Sequence, residues 1–245
     1  MKDILQDLVA HTHALGFIPL VKVSSTNGKT EIEAMAEDRS VIVQATTKAP
    51  VGEFEGVFGM PNLNKLDIHL KCPEYKEEAK ISVVTAQRNG EEIPTGLHFE
   101  NKAKDFENDY RFMNTEIINE KLKTVKMRAV AWDIEFEPSV TSIQKLKFQA
   151  NAHSEETVFQ VKTDGTNLVF SFGDASTHGG EFIFAQNVAG KLDRGWTWPV
   201  TPILSILKIA DVNNTKMSLS NEGAIQITLD SGLATYKYII PAQAA

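Results

Sequence analysis

Short runs rich in Val, Ile, Phe and Thr dominate the apolar pattern of the chain, and they are separated by tight-turn residues. That pattern predicts β-strands joined as antiparallel hairpins. Asn27-Gly28, Asn89-Gly90, Asp164-Gly165 and the Asn221-Glu222-Gly223 triplet each sit between two such runs, and Asn, Asp and Gly are the residues that accept the positive φ of hairpin turns. Only four stretches show helical spacing of apolar residues: 3–15, 62–71, 139–152 and 200–210.

Two of the four helices fall in each half, and the order of elements repeats. The first half reads as a helix, a hairpin around Gly28, further strands, a helix after Pro61, and strands around a turn at Gly90. The second half opens with a strand over 129–136. A helix after Pro138, a hairpin around Gly165, strands to Asn187, a helix after Pro199 and strands around Gly223 then follow. Aligning Pro61 with Pro199 brings Leu66 onto Leu204 and Ile68 onto Ile206. Self-similarity on this scale predicts two like domains, at 1–113 and 129–245. The stretch between them, 114–128, is a charged segment without glycine or proline that carries isolated Ile117, Ile118 and Leu122. It reads as an ordered connector, as a strand or helix whose aliphatics cover core.

Composition narrows the class. With 245 residues, 42% hydrophobic and 23% charged, the chain is an ordinary globular protein. No apolar run approaches the length of a membrane span, and Asp3, Gln6 and Asp7 interrupt the start where a secretory signal is apolar. No membrane partner and a cytoplasmic, reducing compartment are expected. Cys72 is the single cysteine, which excludes an internal disulfide and thiolate-rich zinc sites.

Candidate catalytic motifs fail on their spacing. The TNGKT of residues 26–30 ends like a phosphate loop, but Val23 stands where the glycine five positions before Gly28 is required. His11 and His13 lie in a helical pattern, where positions two apart diverge. His69, His98, His153 and His178 are scattered, Cys72 precedes Pro73, and the acidic runs YKEEAK and NGEE read as solvated faces. No enzyme and no cofactor are expected.

The formal charge of −7 argues against a nucleic-acid partner only on average. Residues 1–115 carry 13 basic and 18 acidic side chains, 116–128 carry four and two, and 129–245 carry eight and 12. Against this background the third helix is distinctive: Val140, Ile143, Leu146 and Ala150 form its apolar stripe, and Lys145 and Lys147 stand in it with no acid. Lys65 and Lys71 accompany one Asp in the second helix, and Lys208 is unopposed in the fourth until Asp211.

Two similar β-rich domains with two helices each, an ordered connector and an acidic total resemble the DNA sliding clamps, of the proliferating cell nuclear antigen and T-even phage type. The resemblance covers nearly the whole chain as an order of elements, with one departure: the family has a strand before its first helix. It implies an α+β clamp fold with antiparallel sheets outside and helices inside, built as a homotrimeric ring around duplex DNA without sequence preference. It further implies a replicative DNA polymerase and a clamp loader ATPase as partners, and host cytoplasm as the setting if the chain is phage-encoded. Residue by residue, it turns Lys2, Lys65, Lys71, Lys145, Lys147 and Lys208 towards DNA. The C-terminal strand YKYIIPAQAA resembles the family's end, which implies a partner-peptide pocket of Met35, Ile117, Ile118, Leu122, Tyr238, Ile240 and Pro241. It also makes the segments bearing Tyr110 and Phe112, and Phe182 and Phe184, the edge strands that join subunits. Two other readings stay open: a monomeric clamp-fold processivity factor that holds DNA on a basic face, and an all-β metal-dependent enzyme using His11, His13 and other histidines.

Overall fold

The computed structural model describes residues 1–76, 79–88, 90–122, 129–174, 176 and 178–243, with the side chain of residue 91 left aside. Five α-helices accompany fifteen strands among them, and every strand pairing given a register is antiparallel. No helix among the described residues is long and apolar enough to cross a membrane. The chain forms two compact units, Met1–Lys126 with Ser231–Tyr236, and Met127–Asp230 with Lys237–Ala245.

The first unit contains α1 (Lys2–His11), β1 (Val21–Thr26), β2 (Lys29–Met35), β3 (Ile42–Thr47), β4 (Gly56–Met60), α2 (Leu63–Lys71), β5 (Lys80–Arg88), β6 (Glu91–Glu100), β7 (Glu107–Arg111) and α3 (Thr115–Lys121). Its strands lie in the orders β4-β1-β2-β3 and β5-β6-β7. Asn27 and Gly28, both at positive φ, close the β1-β2 hairpin as a two-residue turn between paired Thr26 and Lys29. The helices α1 and α2 pack on one another, and Leu5, Leu8, Leu63, Leu66 and Leu70 join Val21, Val23, Phe58 and Phe99 in the core. The first helix ends earlier than its apolar spacing predicts. At Thr12 the backbone leaves helical geometry while the hydroxyl donates to the Leu8 carbonyl at 2.6 Å, and a 3-10 turn over His13–Leu15 closes at Gly16.

The second unit contains β8 (Ile134–Phe136), α4 (Val140–Ala152), β9 (Val158–Asp164), β10 (Asn167–Phe172), β11 (Gly180–Ala185), β12 (Trp196–Pro199), α5 (Val200–Ile209), β13 (Thr215–Ser220) and β14 (Ala224–Asp230). Its strands lie in the orders β11-β10-β9-β12 and β14-β13-β8. The last strand, β15 (Ala234–Pro241), has its first residues counted with the first unit and the remainder with the second. Phe159, Phe170, Phe172 and Phe184 fill the core beneath α4 and α5, with the Phe170 and Phe184 rings stacked at 4.2 Å. Trp198 is fully buried and donates its indole N–H to the Ile240 carbonyl at 3.2 Å.

Several details differ from the sequence expectation. The two turn residues between β9 and β10 are Gly165 and Thr166, since Asp164 already pairs with Asn167. The strand expected over 129–136 is confined to Ile134–Phe136, because it pairs only with Met217 to Leu219 of β13. In α4 the buried stripe is Ser142, Ile143 and Leu146, whereas Val140 stands at the first turn and is exposed. The second helices of the two units match one residue away from the proline alignment. Buried Leu63, Leu66 and Leu70 correspond to buried Val200, Ile203 and Leu207, which leaves Ile68 exposed and Ile206 in the core. The connector contributes α3, capped by Asn114 Oδ1, which accepts from the Ile117 N–H at 2.9 Å. Residues 123–128 of that predicted segment, Asn89 of the predicted Asn89-Gly90 turn, Glu77 and Glu78 of the YKEEAK run, and the final two residues of the predicted C-terminal tail lie outside the described residues.

Candidate nucleic-acid and partner surfaces

The helices carry the cations that a DNA contact needs, but in unequal states. On α4, Ser139 caps the N-terminus by accepting from the Ser142 N–H at 3.0 Å, and thirteen residues follow without an acid. Lys145 and Lys147 are both exposed, and among the described residues neither enters an ion pair. Phe148, 69% exposed, lies one turn beyond Gln144 and Lys145 on the same outward surface. Lys208 is exposed in the last turn of α5, where a cation complements the helix dipole.

In the first unit the lysines are more committed. Lys71 pairs with Asp67 one turn back at 2.6 Å, so much of its charge is offset within α2. Lys2 donates to the carbonyls of Tyr75 and Lys76 at 2.6 and 3.1 Å, which ties α1 to the turn that follows α2. Lys65 is exposed, and its charge, after burial, helps hold the His69 imidazole below its ordinary pKa. Ile68, 62% exposed, lies between them. A cleft of about 600 Å³ runs between the helices, lined by Gln6, Val9, His13, Leu70 and Lys71.

On α1, Asp7 anchors a half-buried cluster. One carboxylate oxygen accepts from the hydroxyls of Ser231 and Tyr236 at 3.0 and 2.8 Å, the other lies 3.2 Å from His11 Nδ1, and the His11 ring stacks on Tyr236 at 4.4 Å. Burial pushes the Asp7 carboxyl up, yet the hydrogen bonds from His11, Tyr236 and Ser231 bring it below its ordinary value. Burial likewise lowers His11, and its bonds to Asp7 raise it above its ordinary value. The hydroxyl of Ser231 lies within hydrogen-bond distance of both Asp7 and the Ala234 carbonyl, at 3.0 and 3.1 Å.

The residues implied for a partner-peptide pocket divide by burial. In the first unit Ile118 is fully buried against β4, where a methyl group on Gly59 would lie 2.8 Å from its Cδ1. Its neighbour Ile117 is 44% exposed, and Met35 and Leu122 are half-buried. In the second unit Tyr238 and Ile240 are fully buried and Pro241 is exposed. Ile118, Tyr238 and Ile240 therefore hold core, and Ile117 is the aliphatic side chain that α3 presents outward.

The two segments implied as subunit edges both occupy the outer position of a sheet. β7 lies beyond β6, and β11 lies beyond β10. Their aromatics point inward: Tyr110 is buried with its hydroxyl donating to the Pro61 carbonyl, and Phe112 stacks on Phe58 at 4.2 Å. Phe184 is buried on Phe170, while Phe182 is half-buried. Outward from β7 stand Glu107, Asp109 and Arg111, residues that a search for apolar edge segments passes over. A cleft of about 580 Å³ beside β11 is lined by Phe136, Ser139, Lys145, Phe182 and Gln186.

No family model matches the sequence, and no curated protein does. Solved structures do match. The chain is similar to the A. fulgidus PCNA in a structure with the C-terminal region of FEN-1 bound, with a TM-score of 0.69 and 10% identity over 100% of this chain and 95% of that one. It is also similar to PCNA from Thermococcus kodakaraensis, with a TM-score of 0.67 and 11% identity over 99% and 97% of the two chains. The chain thus has the α+β fold of the DNA sliding clamps over its whole length.

Proposed function

We propose that the protein is a DNA sliding clamp, a non-catalytic ring of three chains that encircles duplex DNA and tethers a replicative DNA polymerase. The observation that carries this reading is the whole-chain match to the PCNA fold at a TM-score of 0.69. The acid-free helix α4, with two exposed lysines, in a chain of charge −7 supports it. A clamp must hold DNA by topology while sliding. A few lysines per chain give sequence-independent attraction to phosphates, and base readout would arrest the motion. Lys145, Lys147, Lys65 and Lys208 are the exposed candidates for that contact, and Lys71 is a weaker one. Edge strands β7 and β11 are the segments through which neighbouring chains would pair. The A. fulgidus PCNA binds the C-terminal region of FEN-1. Partners of this chain would likewise dock through short segments, and Ile117 is the apolar anchor offered to them. Loading requires a clamp loader ATPase, and the sequence resemblance implies a phage replisome as the setting.

Two measurements test the reading. Light scattering over a dilution series is expected to give the mass of three chains. Protein loaded on a closed circular plasmid is expected to remain bound and to be released when the plasmid is linearised. A strict monomer at every concentration, or retention indifferent to linearisation, overturns it.

A further inference from the structure

The β6-β7 ladder brings four chemistry-bearing side chains onto one face. His98 faces Asp109 and Glu100 faces Glu107 in register, and positions two apart on a strand share a face. His98, Glu100 and Glu107 each offer a ligand atom, all within 4.8 Å of one another, and among the described residues this is the group of three that meets that condition. These residues are separated in sequence by strand geometry and a turn, so no local spacing announces them.

What distinguishes the group from an acidic patch is the orientation of the imidazole. His98 Nδ1 lies 2.9 Å from Asp109 Oδ1, and a carboxylate oxygen can only accept, so Nδ1 carries the hydrogen. In the neutral ring that leaves the Nε2 lone pair on the side of Glu107, whose Oε2 is 3.8 Å away. One imidazole nitrogen and two carboxylates within 4.8 Å of one another form a donor set that a cation can draw together. Donor atoms around a tetrahedral ion at about 2.0–2.2 Å lie about 3.4 Å apart, so binding would draw these side chains together from a spread of up to 4.8 Å. Asp109 supplies the carboxylate that commonly holds a metal-binding histidine by its other nitrogen. The directly opposed Glu100 and Glu107 add a reason for the cation, since like charges facing across a ladder destabilise the pair. Lys80, opposite Glu100 on β5, and Arg111, 3.5 Å from Asp109, balance part of this charge from the sides.

We propose that His98, Glu100 and Glu107 form a binding site for a first-row divalent ion of the zinc class, with Asp109 as the positioning residue. One nitrogen and two carboxylates suit such an ion better than magnesium or calcium, which prefer all-oxygen shells. The Glu107 side chain is largely exposed, so an ion reaches the site from solution.

The test uses the full chain, stripped of metal and titrated near neutral pH with Co²⁺, whose visible absorption reports four- or five-coordinate binding. One saturable equivalent is expected. His98→Ala should abolish the band and Glu107→Gln should weaken binding at least about tenfold, while Asp109→Asn should weaken it about 10- to 100-fold through loss of histidine orientation. His11→Ala should leave the titration unchanged. Because Glu107 is exposed, its variant folds as the wild type does, which keeps the test decisive even if the histidine variant is unstable. Absence of a saturable band, or a titration unaltered by Glu107→Gln and His98→Ala, overturns the site. The readout involves no DNA and no oligomer, so its failure is separate from that of the clamp reading.

Discussion

Asp7 shows how much a single half-buried carboxylate can organise. Its oxygens accept from Ser231 and Tyr236, and His11 closes the cluster. The folded pKa of Asp7 lies below its ordinary 3.8, so its contribution is complete above that value and is lost as pH falls through the lowered one. His11 lies above its ordinary 6.5, so its contribution is complete below that value and is lost as pH rises through the raised one. The two coincide between about 3.8 and 6.5. Asp7→Asn should therefore cost about 1–3 kcal/mol in urea unfolding within that window, leaving buried hydroxyls poorly partnered, and the gap from wild type should narrow at alkaline pH. A gap independent of pH would contradict the assignment. At this scale the sequence shows which residue types are present and not which are already engaged. Lys2 and Lys71 look as free as Lys145 in the sequence, but two carbonyls hold one and Asp67 the other. The same blindness hides Phe148, whose exposure beside Lys145 could be suspected only from the absence of acids around it.

Elements long enough to show periodicity are legible in the sequence, and short ones are not. The four longer helices follow from apolar spacing, and in α2, α4 and α5 from Pro or Ser near their starts. α3, at seven residues, carries one buried aliphatic, Ile118, and its helical state rests on the Asn114 cap and on the contact with β4. β8 is three residues long and pairs with only three of the six positions of β13, too short a run for alternation to show. Aligning prolines misses the register between α2 and α5 by one residue, because the prolines lie outside the helices and do not mark which turn faces the core. Gly59 tests the α3 contact: Gly59→Ala places a methyl against buried Ile118 and should cost about 1–3 kcal/mol in thermal or urea unfolding. An unchanged unfolding midpoint would mean that α3 yields freely. On α4, Lys145→Glu with Lys147→Glu should weaken DNA binding and flatten its salt dependence, each lost phosphate contact removing about 0.9 from the slope of log affinity against log salt. Oligomer mass should not change, and an unaltered slope would remove α4 from the DNA surface.

For the whole molecule, the repeated order of elements is the most informative feature of the sequence, because at 10–11% identity the chain shares the topology of the similar solved structures and few of their residues. What the order does not disclose is the path of the last strand. Ser231–Tyr236 return to the first unit after the chain has completed most of the second, and they deliver the two hydroxyls that Asp7 requires. The two halves are therefore not separable as genes. A polypeptide ending at residue 126 would leave Asp7 without Ser231 and Tyr236, and it should unfold at lower urea concentration than the intact chain. Supplying residues 231–236 by circular permutation or as a fused tail should restore it. The first unit therefore cannot finish its own polar cluster until the chain's final strand has been made, so its folding waits on residues more than a hundred positions downstream.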